Sequence, residues 1–252
     1  MNLIEYKVLA ALLIFLVSMV TVIYPLRKRH VLTHPESVEL GEALASGIFL
    51  GAAFFHMLPD SIRVFMHLYG TPTYPIPEMI CVGGFLLLLF LERLSRTKNI
   101  YHSNHSLPYV LAFILIIHGL TEGAALGIGS TASETLMLFI AILAHKGSES
   151  FALCVIMLRH NLHLHKVICI ILFFALMTPL GIFLGAAVNG LELANSELIA
   201  AIFNAFAAGT FLYISTLHHI RFHQHIDQTQ GLQEFACLVS GLLIMGGITL
   251  WC

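Results

Sequence analysis

The chain has 252 residues, 58% of them hydrophobic and only 10% charged, against about 25% charged in an ordinary soluble domain. That composition excludes a soluble globule. With 12 basic and 14 acidic residues, a net charge of −2 and no basic block beyond Arg27-Lys28-Arg29, it also leaves no electrostatic footprint for nucleic acid.

Charged and turn-forming residues divide the sequence into eight apolar runs, each of about 20 residues and so long enough to cross a bilayer. The first is predicted over about 3–26, ending at Pro25 and the basic triplet. The preceding MNLIEYK lacks the basic region and small-residue cleavage site of a signal peptide, so this run reads as an uncleaved span. The second, about 40–67, contains GIFLGAAFFHMLPD, and a loop with Pro72, Pro75 and Pro77 leads to the third at about 78–94. The fourth, fifth and sixth fall at about 108–129, 135–158 and 166–188, and the last two at about 197–219 and 232–251. No loop is much longer than about 15 residues, so the expected fold class is all-α. Residues 1–252 are expected to form a single polytopic membrane helical bundle with eight transmembrane helices. The five cysteines lie in or at the ends of apolar runs without a CxxC pair, and imply no disulfide framework.

Lysine and arginine set the expected orientation. Arg27, Lys28, Arg29, Arg93, Arg96, Lys98, Arg159, Lys166 and Arg221 fall in the loops after spans one, three, five and seven, while the other side holds only Lys7 and Arg63. The basic loops are therefore placed in the cytosol and both termini outside it. Histidines follow the same division: His30, His34, His102, His105, His160, His163, His165, His219, His223 and His225 lie in or beside the cytosolic loops. Imidazole is a common metal ligand, and ten on one side favour metal handling over simple interfacial tolerance.

Ionisable side chains inside the membrane are costly and mark functional sites by default. Span four carries His118 and Glu122, and span five carries His145, Lys146 and Glu149. In each helix the His and Glu are one turn apart on one face, and two such faces can meet across a helix pair. Two carboxylates converging in low dielectric repel one another, and a divalent cation neutralises them while using the free lone pairs. Nitrogen with carboxylate oxygen suits zinc, and also iron(II) or manganese. A lone Lys146 ammonium at this depth would lose its proton or seek a carboxylate partner, which Glu122 or Glu149 can supply. The competing structural reading makes both His-Glu faces ion-pair partners of Lys146. Gly119, Gly123, Ala124, Ala125, Gly127 and Gly129 allow close helix approach around these residues.

HGLTEGAALGIG in span four and AHKGSESFAL in span five resemble the signatures of the ZIP (Zrt/Irt-like) family of metal transporters. The His-Lys opening of the second is similar to a zinc-selective subfamily. FLGAAFFHMLPD, TPLGIFLG and AAGTFLYIS agree with the family in spans two, six and seven, so the resemblance covers nearly the whole chain from span two onward. It implies that His118, Glu122 and Glu149 ligate the transported metal, with His145 close to the same site. Gly119 stands where many members have Asn and Lys146 where they have an acidic or amide ligand. One transport metal is therefore expected, with the Lys146 ammonium in place of a second cation. Ser148 replaces a common Pro, and His218-His219 replace a frequent Glu in span seven, leaving the cytosolic exit ligands open. The loop between spans three and four is short, with His102 and His105 where relatives have a long His-rich segment. The resemblance also implies a homodimer, and an elevator-like motion of spans one, four, five and six against the rest.

The expected function is transmembrane transport of divalent cations toward the cytosol, zinc first and iron(II), manganese or cadmium as alternatives, at His118, Glu122, His145 and Glu149. The metal is cargo, so no permanent cofactor is expected. His56 and Asp60, one turn apart near the extracellular end of span two, are candidates for the entrance, equally readable as a solvated helix end. His102, His105, His218, His219, His223 and His225 are candidates for the exit or for loop binding. Protonation of His or Glu offers a release step. The plasma membrane is the expected location, with an intracellular membrane as the alternative. A metalloenzyme is disfavoured because there is no HExxH and no extra nucleophile beside the two faces. A metal sensor or scaffold without flux stays open, and a monovalent-cation channel is disfavoured by four strong convergent ligands.

Overall fold

The computed structural model describes residues 2–28, 38–70, 74–97, 106–187, 196–218 and 228–250, and every regular element among them is helical. Eight long helices result: α1 (Leu3–Arg27), α2 (Glu39–Tyr69), α3 (Ile76–Thr97), α4 (Ser106–Ile128), α5 (Ala132–Arg159), α6 (Leu164–Ala187), α7 (Ser196–Tyr213, continued by Ile214–His218) and α8 (Gln228–Thr249). Local chemistry fixes their ends. Asn2 caps α1 by accepting from the Glu5 amide at 2.8 Å while the Glu5 carboxylate accepts from the Asn2 amide at 3.0 Å, a reciprocal capping box. Gly70, at φ 75°, ends α2 in a conformation that costs glycine little.

Two helices contain π turns, which the apolar pattern does not announce. In α2 the turn spans Ala52–Met57, and in α7 it spans Ile214–His218. A π turn widens the backbone spiral locally and shifts the face on which later side chains emerge. The α2 turn carries Phe54, Phe55 and His56.

The closest packing joins helices that are distant in sequence: α1 with α5, α4 with α6, α2 with α8 and α3 with α7. Each pair runs parallel. Tyr6 meets Phe139 and Val17 meets Gly147 between α1 and α5; Gly123 meets Thr178 and Gly127 meets Ile182 between α4 and α6. Likewise Gly47 and Gly51 of α2 meet Leu238 and Met245 of α8, while Gly209 and Tyr213 of α7 meet Cys81 and Glu92 of α3. At these crossings glycine lets the backbones touch. A Cβ on Gly123 would overlap the Thr178 carbonyl oxygen, so α4 and α6 approach at a distance that only glycine permits there. The pairs combine into two four-helix groups, α1/α4/α5/α6 and α2/α3/α7/α8, with sparser packing between them.

Large apolar side chains such as Phe90, Phe113, Phe173, Phe183 and Phe235 stand exposed around the bundle. So much apolar surface is unfavourable in water and natural against lipid. Seven of the helices are long and apolar enough to cross a membrane. The eighth, α3, is 22 residues long and carries Glu78, Glu92 and Arg93. Of these, Glu92 is buried and accepts a 2.6 Å hydrogen bond from the Tyr213 hydroxyl, which offsets part of the cost of its burial. The chain is an integral, multi-pass, all-helical membrane protein.

Candidate metal site

α4 presents His118 and Glu122, and α5 presents His145 and Glu149, each pair four residues apart on one helical face. The two faces meet. One ligand atom from each of the four residues lies within 4.8 Å of all the others, and all four side chains are buried. His118 Nε2 is 2.9 Å from Glu122 Oε1 and 3.4 Å from Glu149 Oε1; His145 Nε2 is 2.8 Å from Glu122 Oε1 and 3.9 Å from Glu149 Oε1. A tetrahedral zinc with ligands at about 2.0–2.1 Å holds them about 3.3 Å apart, and these four separations bracket that value.

Hydrogen bonding within the cluster is incomplete. His145 Nε2 bonds Glu122 Oε1, but His118 Nε2, Glu122 Oε2 and Glu149 Oε1 have no hydrogen-bond partner among the described residues. His118 Nε2 and Glu122 Oε1 are close without being aligned to bond. Unpaired polar atoms so deeply buried are costly, and a cation that accepts their lone pairs removes much of that cost.

Lys146 takes Glu149 as its partner. Its ammonium, fully buried, donates to Glu149 Oε2 at 2.7 Å and lies 4.3 Å from the centre of the Phe174 ring. Glu149 is thus divided, with Oε2 held by the ammonium and Oε1 turned toward His118. Gly119 makes the arrangement sterically feasible, because a Cβ there would stand 2.9 Å from both Lys146 Nζ and Thr178 Oγ1. With the imidazoles neutral, two carboxylates and one ammonium leave the cluster with one net negative charge, which a divalent cation would convert to one positive.

Phe211 of α7 closes the cluster from the other helix group. Its ring meets those of His118 and His145 edge-on at 5.5 and 6.3 Å, and the ring of Phe49 of α2 lies behind it at 4.7 Å, tilted by 49°. These aromatics put apolar surface beside the ligands, where electrostatic attraction to a cation is stronger than in bulk water. Nothing in the apolar pattern singled out Phe211 from the other residues of AAGTFLYIS.

His56 and Asp60 form a 2.8 Å ion pair, and Arg63 also pairs with Asp60. They line a cleft of about 320 Å³ between α2 and α5. The His56 ring lies 6.2 Å from that of His145, so the cleft ends beside the cluster. The π turn that carries His56 helps set this direction. Of the remaining candidates, His102, His105, His219, His223 and His225 lie outside the described residues, and His218 ends the π turn of α7.

Comparison with known proteins agrees with this architecture. The family described as "ZIP Zinc transporter" matches residues 4–108 and 97–249. The chain is 30% identical to "Zinc transporter ZIP1" of Takifugu rubripes over 261 residues, covering 86% of each chain. It is 29% identical to "Zinc transporter ZIP2" of Homo sapiens over 259 residues, 82% of this chain and 84% of that one. "Zinc transporter ZIP1" of Homo sapiens is 26% identical over 254 residues, 84% of this chain and 78% of the relative. With nearly its whole length matched, the chain belongs to the ZIP family, whose members are transporters and not enzymes.

Proposed function

We propose that this protein carries zinc across the membrane toward the cytosol, binding it at His118, Glu122, His145 and Glu149. The observation that carries this reading is the buried four-ligand cluster, its ligand atoms all within 4.8 Å of one another, in an apolar bundle. The names of the relatives support zinc as the cargo. Iron(II), manganese and cadmium suit the same donors and are alternative substrates. Two imidazoles and two carboxylates replace the hydration shell of the ion, while Lys146 holds the ground a second cation would otherwise take. Binding is thereby limited to one ion, and the ammonium's repulsion keeps that ion releasable.

In this reading residues 1–252 act as one transport domain. Ions arrive through the cleft at His56 and Asp60, whose carboxylate attracts cations, and leave past His102, His105, His218, His219, His223 and His225. The excess of Lys and Arg at the loops after α1, α3, α5 and α7 supports cytosolic loops and termini on the opposite side. Plasma-membrane residence and a homodimer complete the assignment.

Zinc flux into proteoliposomes tests it. Saturable uptake by the wild-type chain should collapse in His118→Ala and Glu149→Ala variants inserted in equal amount. Binding without flux in the wild type would point to a sensor or scaffold instead.

A further inference from the structure

The two helix groups touch along α2 and α5, as well as at α4 with α7, α5 with α8 and α3 with α4, and the α2–α5 seam differs at its two ends. At one end lies the cleft bounded by His56, Asp60 and Arg63 of α2 and by Met137, Leu138 and Ala141 of α5, which leads to the cluster. At the other end the seam is shut. Arg159, on the last turn of α5, donates to Glu42 Oε2 of α2 at 2.7 Å, with both side chains largely buried. One residue earlier on α2, Gly41 receives the Phe151 ring so closely that a Cβ there would stand 2.8 Å from its edge. At about 1.5 Å per residue, Glu42 lies about 20 Å along α2 from His56, and Arg159 about 20 Å along α5 from His145. The cluster therefore sits between an open cleft and a closed ion pair on the same two helices.

For an ion that enters by the cleft and is held at the cluster, the closed end of this seam stands across a path to the other side along the same two helices. We infer that Glu42–Arg159, backed by Phe151 on Gly41, is a latch that holds the transporter closed to the Lys/Arg-rich side and must break once in each transport cycle. This inference rests on the transport function proposed above. The geometry suits the role. An ion pair joining two groups that pack sparsely against each other stabilises the closed state without locking it, as a step repeated every cycle requires. A pair inside one rigid group would have no such effect, and Glu42 and Arg159 belong to different groups.

Two variants test the latch in proteoliposomes loaded with radioactive zinc. In Glu42→Cys/Arg159→Cys, a short bis-methanethiosulfonate reagent ties the two helices, with wild type treated alike as control for its five native cysteines. Tying should lower flux by at least about tenfold while zinc binding in detergent is unchanged, and reductant should restore flux. Flux undiminished after tying overturns the latch, and so does loss of zinc binding, which would make the pair part of the site. The charge exchange Glu42→Arg/Arg159→Glu covers failure of the cysteine variant to fold. It should restore the flux altered by each single substitution, and failure to do so counts against the latch. If wild type binds zinc and moves none, the transport reading itself fails.

Discussion

Lys146 offers a substitution whose effect can be worked from the geometry. Its ammonium binds Glu149 Oε2 at 2.7 Å, while Oε1 of the same carboxylate faces His118. A cation held by Oε1 would therefore lie about 5.5 Å from Nζ, and at an effective dielectric of about 20 the repulsion between them is about 3 kcal/mol for each unit of charge on the ion. Ligation spreads the charge of bound zinc over its donors, so one unit is the reasonable minimum. Lys146→Met should thus bind zinc at least about 100-fold more tightly and transport it more slowly, because release becomes limiting. Without metal the variant leaves Glu149 buried and unpaired, a loss of about 3–5 kcal/mol. Zinc should therefore raise its unfolding temperature more than that of wild type. Competition with a chromogenic chelator in detergent, alongside thermal unfolding with and without zinc, reads both effects. Zinc affinity equal to or weaker than wild type would refute the placement of the ammonium beside the ion.

Gly123→Ala should push α4 from α6 because its Cβ overlaps the Thr178 carbonyl oxygen, costing about 1–3 kcal/mol and weakening zinc binding. Gly83→Ala, which faces open space inside α3, is the control: it should leave zinc binding unchanged and raise stability slightly, by about 0.5–1 kcal/mol. Lys7 is buried and donates to the Gly127 carbonyl oxygen at 2.5 Å, tying the start of α1 to the end of α4. Lys7→Met should lower stability by about 1–3 kcal/mol in thermal unfolding while leaving zinc affinity nearly intact. Asp60→Asn removes a carboxylate from the cleft and not from the cluster, so it should slow zinc association, seen in stopped-flow measurements, with the final binding stoichiometry unchanged.

The eight apolar runs were legible because lipid demands about 20 apolar residues per crossing, and charged or proline-rich breaks between them are easily seen. The meeting of α4 and α5 was foreshadowed by four-residue spacing alone, since His118/Glu122 and His145/Glu149 each define a face and buried charge must find a partner. Spacing could not choose between Glu122 and Glu149 as the partner of Lys146. That choice is made in the packing, where the ammonium lies beside Gly119 and Phe174 of two other helices while bonded to Glu149. The π turns were equally hidden, because they shift the period by one residue within runs that are apolar on every side. Lys7 read as a loop-side charge, yet it is buried against α4. The Glu42–Arg159 pair links residues 117 positions apart, and a single sequence carries no signal for it.

Zinc K-edge X-ray absorption on the purified, zinc-loaded protein tests the central claim most directly. The account predicts a nitrogen and oxygen shell at about 2.0–2.1 Å with two imidazoles and no sulfur, losing one imidazole's scattering in His145→Ala. A sulfur shell at about 2.3 Å, or a spectrum unaltered in that variant, would contradict it.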